Sequence, residues 1–228
     1  MVNIKCLKDF KNISDFLKFT EKILDLQWKI EKQLLKQRVE KYRKYELFKE
    51  LQSEFIEKQL SIFDLKSEEV ITWFDTSLIL RRILLKLYER AVNTNNISII
   101  MEYPVVFGNH MRSDFLIIVD RLIIVLEFGM FNQAERRSEE RYTKKLQESI
   151  SYRQIIANMV PKEVKVINYV MIYKPEYDDS SKVNLTEKIK YNKLEVEKTA
   201  SFLEFHIKQE LTYSARYQLE KLGHFNKI

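Results

Sequence analysis

The chain has 228 residues, 45% of them hydrophobic, which is enough to bury a core without disulfide or metal staples. Cys6 is the only cysteine, which excludes an intrachain disulfide and a cysteine-rich zinc site and fits a reducing cytoplasm. The formal charge of +6 favours polyanionic partners, but the basic residues are spread along the chain and a solvated surface accounts for them equally well.

The opening residues, MVNIKCLKDF, hold no apolar run of signal-peptide type. Residues 1–95 contain neither Gly nor Pro and read as helical. A first helix is expected near 13–25. A second, long helix is expected over about 27–62, where Leu35, Val39, Tyr42, Tyr45, Phe48, Leu51 and Phe55 recur at near-helical spacing. At 1.5 Å per residue it would be about 50 Å long. Such a helix packs against a partner or a second copy of the chain, or it folds into a hairpin within its own domain. A further helix opens at Ser67 as the cap, with Glu68 and Glu69 suited to its positive end, and runs to about 93. The NTNN stretch ends it.

The texture then changes. ISIIMEYPVVFG (97–108) reads as a strand interrupted at Pro104, and RSDFLIIV (112–119) and LIIVLEFG (122–129) as two more. The apolar run 115–126 is broken by Asp120 and Arg121 and is too short to span a bilayer, so no membrane association is expected. Residues 133–160 return to helix, Pro161 stops it, and 164–173 form a fourth strand. EYDDSSKVN (176–184) is a polar loop, followed by weak strand or loop character and a last helix from about 197. The fold class is therefore α/β: a mixed central sheet flanked by helices, with a long helical N-terminal region.

Two acids interrupt the most apolar stretch. If Asp120 and Arg121 form a two-residue turn, Val119 sits opposite Leu122 and counting outward sets Asp114 opposite Glu127, with Cβ atoms about 5 Å apart on one face. Like charges so placed call for a proton or for a cation between them. Hard oxygen ligands suit Mg²⁺ or Mn²⁺, which keep waters and use one or two carboxylates. An Arg or Lys neutralising the pair is the structural alternative.

A helix, a three-stranded meander with Asp on its second strand and Glu on its third, then a helix and a further strand resemble the PD-(D/E)XK nuclease superfamily over residues 67–175. The resemblance implies a restriction-endonuclease-like core, with 67–228 as the nuclease-like domain and 1–66 as a helical interaction region. It implies that Asp114 and Glu127 hold the metal, with the Phe128 carbonyl as a third ligand. Glu89 stands where many members place another acid. Gln147 and Tyr152 match helix residues that lie near the nucleic-acid backbone.

The family pattern wants Lys two residues after Glu127, and this chain has Gly129. The positive charge could come from Arg112, which counting places opposite Gly129 on the face of the acids. It could come from Lys145, which shares one flank of the 133–160 helix with Tyr152. That flank borders an apolar face of Tyr142, Leu146, Ile150 and Ile156. Or the site could be inactive. There is no glycine-rich phosphate loop, no HExxH spacing among His110, His206 and His224, and no Gly-x-Ser-x-Gly motif. His110, in a turn near Asp114, could border the site.

The expected function is Mg²⁺- or Mn²⁺-dependent phosphodiester hydrolysis, of DNA rather than RNA on the strength of the resemblance. The family suggests an ATPase or helicase as a partner and a setting in phage defence or DNA processing. A homo-oligomer through the long N-terminal helix is a further expectation. The alternative is an inactive subunit that docks nucleic acid or protein.

Overall fold

Asn12 stands in extended backbone and its side-chain carbonyl accepts the Asp15 amide at 2.9 Å, which starts α1 (Ile13–Asp25). A computed structural model of the chain describes residues 4–30, 35–105, 111–130, 135–173 and 185–213, apart from the side chains of 135–138 and 185–192. Before α1 lies a short strand, β1 (Lys8–Phe10). Three residues are too few to show a period of two, and the sequence reading folded them into the helical region.

The expected long helix over 27–62 is broken. Its described part forms α2 (Leu35–Tyr42) and α3 (Glu46–Glu57), separated at Tyr45, which is extended with ψ 142°. The buried positions explain the break. Val39 and Tyr42 point inward from α2, and Leu47, Phe48, Leu51 and Phe55 from α3. The interval from Tyr42 to Leu47 is no helical repeat, so one straight helix could not bury both sets. Among the described residues there is therefore no single long helix to carry the expected contact with a second copy. α2 and α3 instead pack against α4 (Ser67–Glu89). Ser67 is the first residue of α4 rather than its cap. Lys66 holds the cap position without a side-chain bond, and the Ser67 hydroxyl accepts from Gln52 at 3.1 Å.

The sheet has five strands in sequential order: β1, β2 (Ile97–Pro104), β3 (Arg112–Val119), β4 (Leu122–Met130) and β5 (Lys165–Tyr173). The first four are antiparallel, and β5 runs parallel to β4 after the crossover helix α5 (Glu135–Met159). The chain closes with α6 (Leu185–Leu211), which begins twelve residues before the expected start at about 197. Of the expectations for the loops, the last strand residues 106–108, His110, helix positions 133–134, the loop 176–184 and His224 lie outside the described residues.

One face of the sheet carries Ile99, Met101, Phe115, Ile117, Ile124 and Leu126 into a core shared with α1–α4 and α6. Phe16 of α1 meets Phe115 edge-on at 6.2 Å, so the N-terminal region and the sheet share that core. The other face, with Ile100, Leu116 and Val125, packs against Tyr152 and Ile156 of α5. Deep in the larger core, Arg38 and Asp75 are fully buried and bonded at 2.7 Å through both guanidinium ends, and Trp28 Nε1 donates to Asp75 at 2.8 Å.

Candidate active site

The β3–β4 hairpin turns at Asp120, whose φ of 49° is a left-handed conformation that Asp tolerates. The ladder runs from Val119 opposite Leu122 to Phe115 opposite Leu126, the register read from the sequence. Beyond it the carboxylates take over from the main chain. The Asp114 amide donates to Glu127 Oε1 at 3.0 Å, and the Phe128 amide donates to Asp114 Oδ2 at 2.7 Å. Each acid is thus tied to the other strand's backbone, and the two lie together on the side facing α5.

Lys145 of α5 reaches them. Its Nζ lies 2.9 Å from Glu127 Oε2, 3.7 Å from Asp114 Oδ2 and 3.5 Å from Glu148 Oε2. Three carboxylates converge on one ammonium. Gly129 lies beneath that approach, in close packing with β5 and α5. A Cβ there would overlap Ile172 Cδ1 and stand 3.5 Å from Arg141 Cγ and 3.6 Å from Lys145 Cγ, both ordinary contacts. The space that a lysine at 129 would fill is occupied by a methyl of β5 and by the stems of two basic residues of α5. Glycine here provides room, not backbone freedom.

The face that α5 turns to the sheet is in part the apolar one expected, since Leu146 packs on Val170 and Ile172 and Ile156 on Leu116 and Val125, but it is rotated to include polar residues. Lys145, Ser149, Tyr152 and Ile156, spaced four, three and four, point inward, while Tyr142 is 43% exposed. The sheet supplies the reason. Glu127 and Asn168 are polar groups on it that need partners, and Lys145 and Ser149 provide them, with Asn168 Nδ2 bonding Ser149 Oγ at 3.0 Å.

Burial raises the pKa of Glu127 to about 8, with the Asp114 charge adding to the shift and Lys145 opposing it. For Lys145, burial works against the charge, but Asp114 and Glu127 outweigh it and hold the ammonium protonated beyond its usual range. Burial likewise raises Tyr152, with Glu127 adding to it.

The other named residues fall as follows. Arg112 is turned away from the pair. It donates to Glu102 at 2.9 Å and to Glu69 at 2.6 Å, and its guanidinium lies 4.8 Å over the Phe55 ring. The side chains beside Gly129 are Arg141 and Lys145, not Arg112, because the two acids Glu102 and Glu69 hold the guanidinium elsewhere. Glu89 is exposed and pairs with Lys86 at 2.6 Å, while the acid of α4 that reaches the strands is Glu69, at the helix's other end. Gln147 is exposed on α5 and Tyr152 is buried beneath it. The Phe128 ring sits in the core edge-on to Phe115 at 5.8 Å.

Glu102 was not singled out from the sequence. It is 5% exposed, and burial raises its pKa to about 7, with Arg112 opposing that shift and Asp114 adding to it. The pairs Met101–Phe115 and Tyr103–Ser113 flank it, so by count it stands opposite Asp114. Its φ of 52° breaks the alternation of β2. Ile100 and Tyr103 both face α5, and Glu102 turns out of that row to Arg112. The signal was a lone acid in an apolar strand, the same signal that marked Asp114 and Glu127. Glu148, one helical turn from Lys145, was also passed over.

Among the described residues no group of three or more His, Cys, Asp and Glu side chains is placed to hold a metal ion, and no helix is long and apolar enough to cross a membrane. The chain is an α/β protein with a five-stranded mixed sheet. No family model matches it, and no curated protein and no solved structure shows significant similarity to it.

Proposed function

We propose that the chain is a metal-dependent nuclease with a restriction-endonuclease-like core, in which Lys145 stands in for the motif lysine. The observation that carries this reading is the convergence of Asp114 and Glu127 on the Lys145 ammonium, at 3.7 and 2.9 Å, beside the position where the family pattern has its lysine and this chain has Gly129. A cation already resides among these oxygens, and their hard-donor chemistry suits Mg²⁺ or Mn²⁺ held by two carboxylates, the Phe128 carbonyl and water. When bound, such an ion supplies charge to phosphate oxygens and acidifies water.

The chain's own groups do the rest. Glu127 must give up its proton to serve as a ligand, so ion binding strengthens as pH rises towards about 8. Lys145 stays protonated and stabilises charge developing on the phosphoryl group. Hydrolysis adds water's oxygen to phosphorus, breaks one P–O ester bond and delivers a proton to the leaving oxygen. DNA is the proposed substrate, and an ATPase or helicase in a phage-defence or DNA-processing assembly the proposed partner.

A second reading has an observation of its own. Lys145 neutralises the pair directly, as it would in an inactive subunit that docks nucleic acid or protein. The test is cleavage of labelled single- and double-stranded DNA and RNA with Mg²⁺, Mn²⁺ or EDTA, alongside Glu127→Ala and Lys145→Met. Metal-dependent cutting lost in both variants supports the nuclease. No cutting, with no Mn²⁺ binding by calorimetry, supports the docking subunit.

A further inference from the structure

Strand β5 is nine residues long and, among the described residues, pairs only with β4. Among the described residues, no N–H or C=O group on its outer edge is paired with another strand. Sheets usually blunt such an edge with a short strand, a proline, a bulge or charges. The opposite edge follows that rule, since β1 has three residues and carries Lys8 and Asp9. β5 does not. Its sequence, KVINYVMIY, is β-branched and aromatic, has no proline and no left-handed residue, and holds one charge, at its first position.

The open edge lies at the bottom of a slot of about 700 Å³. Tyr142 and Thr143 of α5 line it from one face of the sheet, Glu195 and Lys198 of α6 from the other, and Asn168 and Tyr169 form its floor. A slot between two helices with a strand edge as its floor fits an added strand.

We propose that this slot is the dimer interface of the protein, with β5 pairing antiparallel to β5 of a second copy to give a continuous ten-stranded sheet. The charges on the slot favour a second copy over another occupant. A two-fold axis perpendicular to the sheet sets α6 antiparallel to α6 of the partner copy. Glu195 and Lys198, 3.0 Å apart on one helix, then meet their copies in reverse order, Lys198 against Glu195 on both sides. The α5 rim carries the exposed acid Glu139 beside uncharged Thr143 and Tyr142, an aromatic left 43% exposed. On α6, Leu194 stands one helical turn from Lys198 and is 53% exposed. The α6 side of the interface is thus self-complementary in charge.

The test is sedimentation equilibrium of the full chain over a dilution series, with hydrogen–deuterium exchange of β5. A dimer is expected, with β5 amides that become more protected as concentration rises. Lys198→Glu and Glu195→Lys should each weaken the dimer about tenfold, because each turns two symmetry-related pairs repulsive at once. The double swap should restore it. Lys198 is at the surface with 55% of its side chain exposed, so Lys198→Glu folds, and far-UV circular dichroism checks the fold of Glu195→Lys, whose side chain is largely covered. A monomer at every concentration overturns the proposal. So does a dimer that ignores both single swaps and leaves β5 exchange unchanged.

Discussion

Replacing Lys145 with Met removes the only described cation bonded to Glu127 and keeps most of the stem's volume. The carboxylate it leaves is fully buried and the lost contact is 2.9 Å long. Where Glu127 is ionised, stranding it is expected to cost about 3–5 kcal/mol, the usual effect of breaking a buried pair from one side. Where Glu127 holds a proton, the loss is that of a charge-assisted hydrogen bond, about 1.5–3 kcal/mol. The pKa of about 8 separates the two regimes. Lys145→Met is therefore expected to lower the unfolding free energy modestly at about pH 6 and by roughly twice as much at about pH 9. Urea unfolding followed by circular dichroism at both values measures it. An equal loss at the two pH values would refute the assignment of Glu127 as the group that titrates beside Lys145. A loss near zero at both would refute the contact itself.

Three further outcomes follow from the same geometry. Glu127 has a folded pKa raised above its unfolded value, so the native state holds a proton that the unfolded state releases between about 4.5 and 8. Stability should fall with rising pH across that window at up to about 1.4 kcal/mol per unit, and in Glu127→Gln the slope should flatten, as read from urea midpoints. Gly129→Ala puts a methyl against Ile172 Cδ1, the end of a side chain that can turn aside, and should destabilise by about 1 kcal/mol or less. Ile172→Val removes that atom, so the double variant should lose less than the sum, and strict additivity in thermal unfolding would show that the clash is relieved elsewhere. Asp75→Asn strands Arg38 in the core and should cost about 3–5 kcal/mol, whereas replacing both with apolar residues should cost less, which a double-mutant cycle would show.

The hairpin was legible in the sequence because two strong signals coincide there. Unbroken Ile, Leu and Val runs mark both strands, and Asp120-Arg121 is the only polar interruption between them. Register then follows from counting. Lys145 was legible as one of two candidates, because its flank of α5 could be computed. The full orientation of that helix was not, since hydropathy brings Leu146 onto the sheet as expected but also points Tyr142 inward, whereas the polar groups of the sheet pull Lys145 and Ser149 there. The break at Tyr45 was hidden for a related reason. Tyr45 itself fits the helical spacing, and only the missing repeat between Tyr42 and Leu47 reveals two faces. The flip at Glu102 depends on a single backbone angle, which composition does not encode.

That flip bears on why two carboxylates can sit side by side in this sheet. In regular alternation Glu102 would join Asp114 and Glu127 in one row across three strands, three acids abreast facing Lys145. A left-handed residue inside a strand costs about 1–2 kcal/mol, yet it moves Glu102 to Arg112 and leaves two acids in the row. Arg112 then binds both Glu102 and Glu69 of α4, so its charge is matched before it can reach Asp114. The acids divide into two cation-centred groups: Glu69 and Glu102 around Arg112, and Asp114, Glu127 and Glu148 around Lys145. The first balances two acids with one guanidinium in a largely buried setting. The second gathers three acids around one ammonium on the α5 side, which leaves burial and the Asp114 charge to raise the pKa of Glu127.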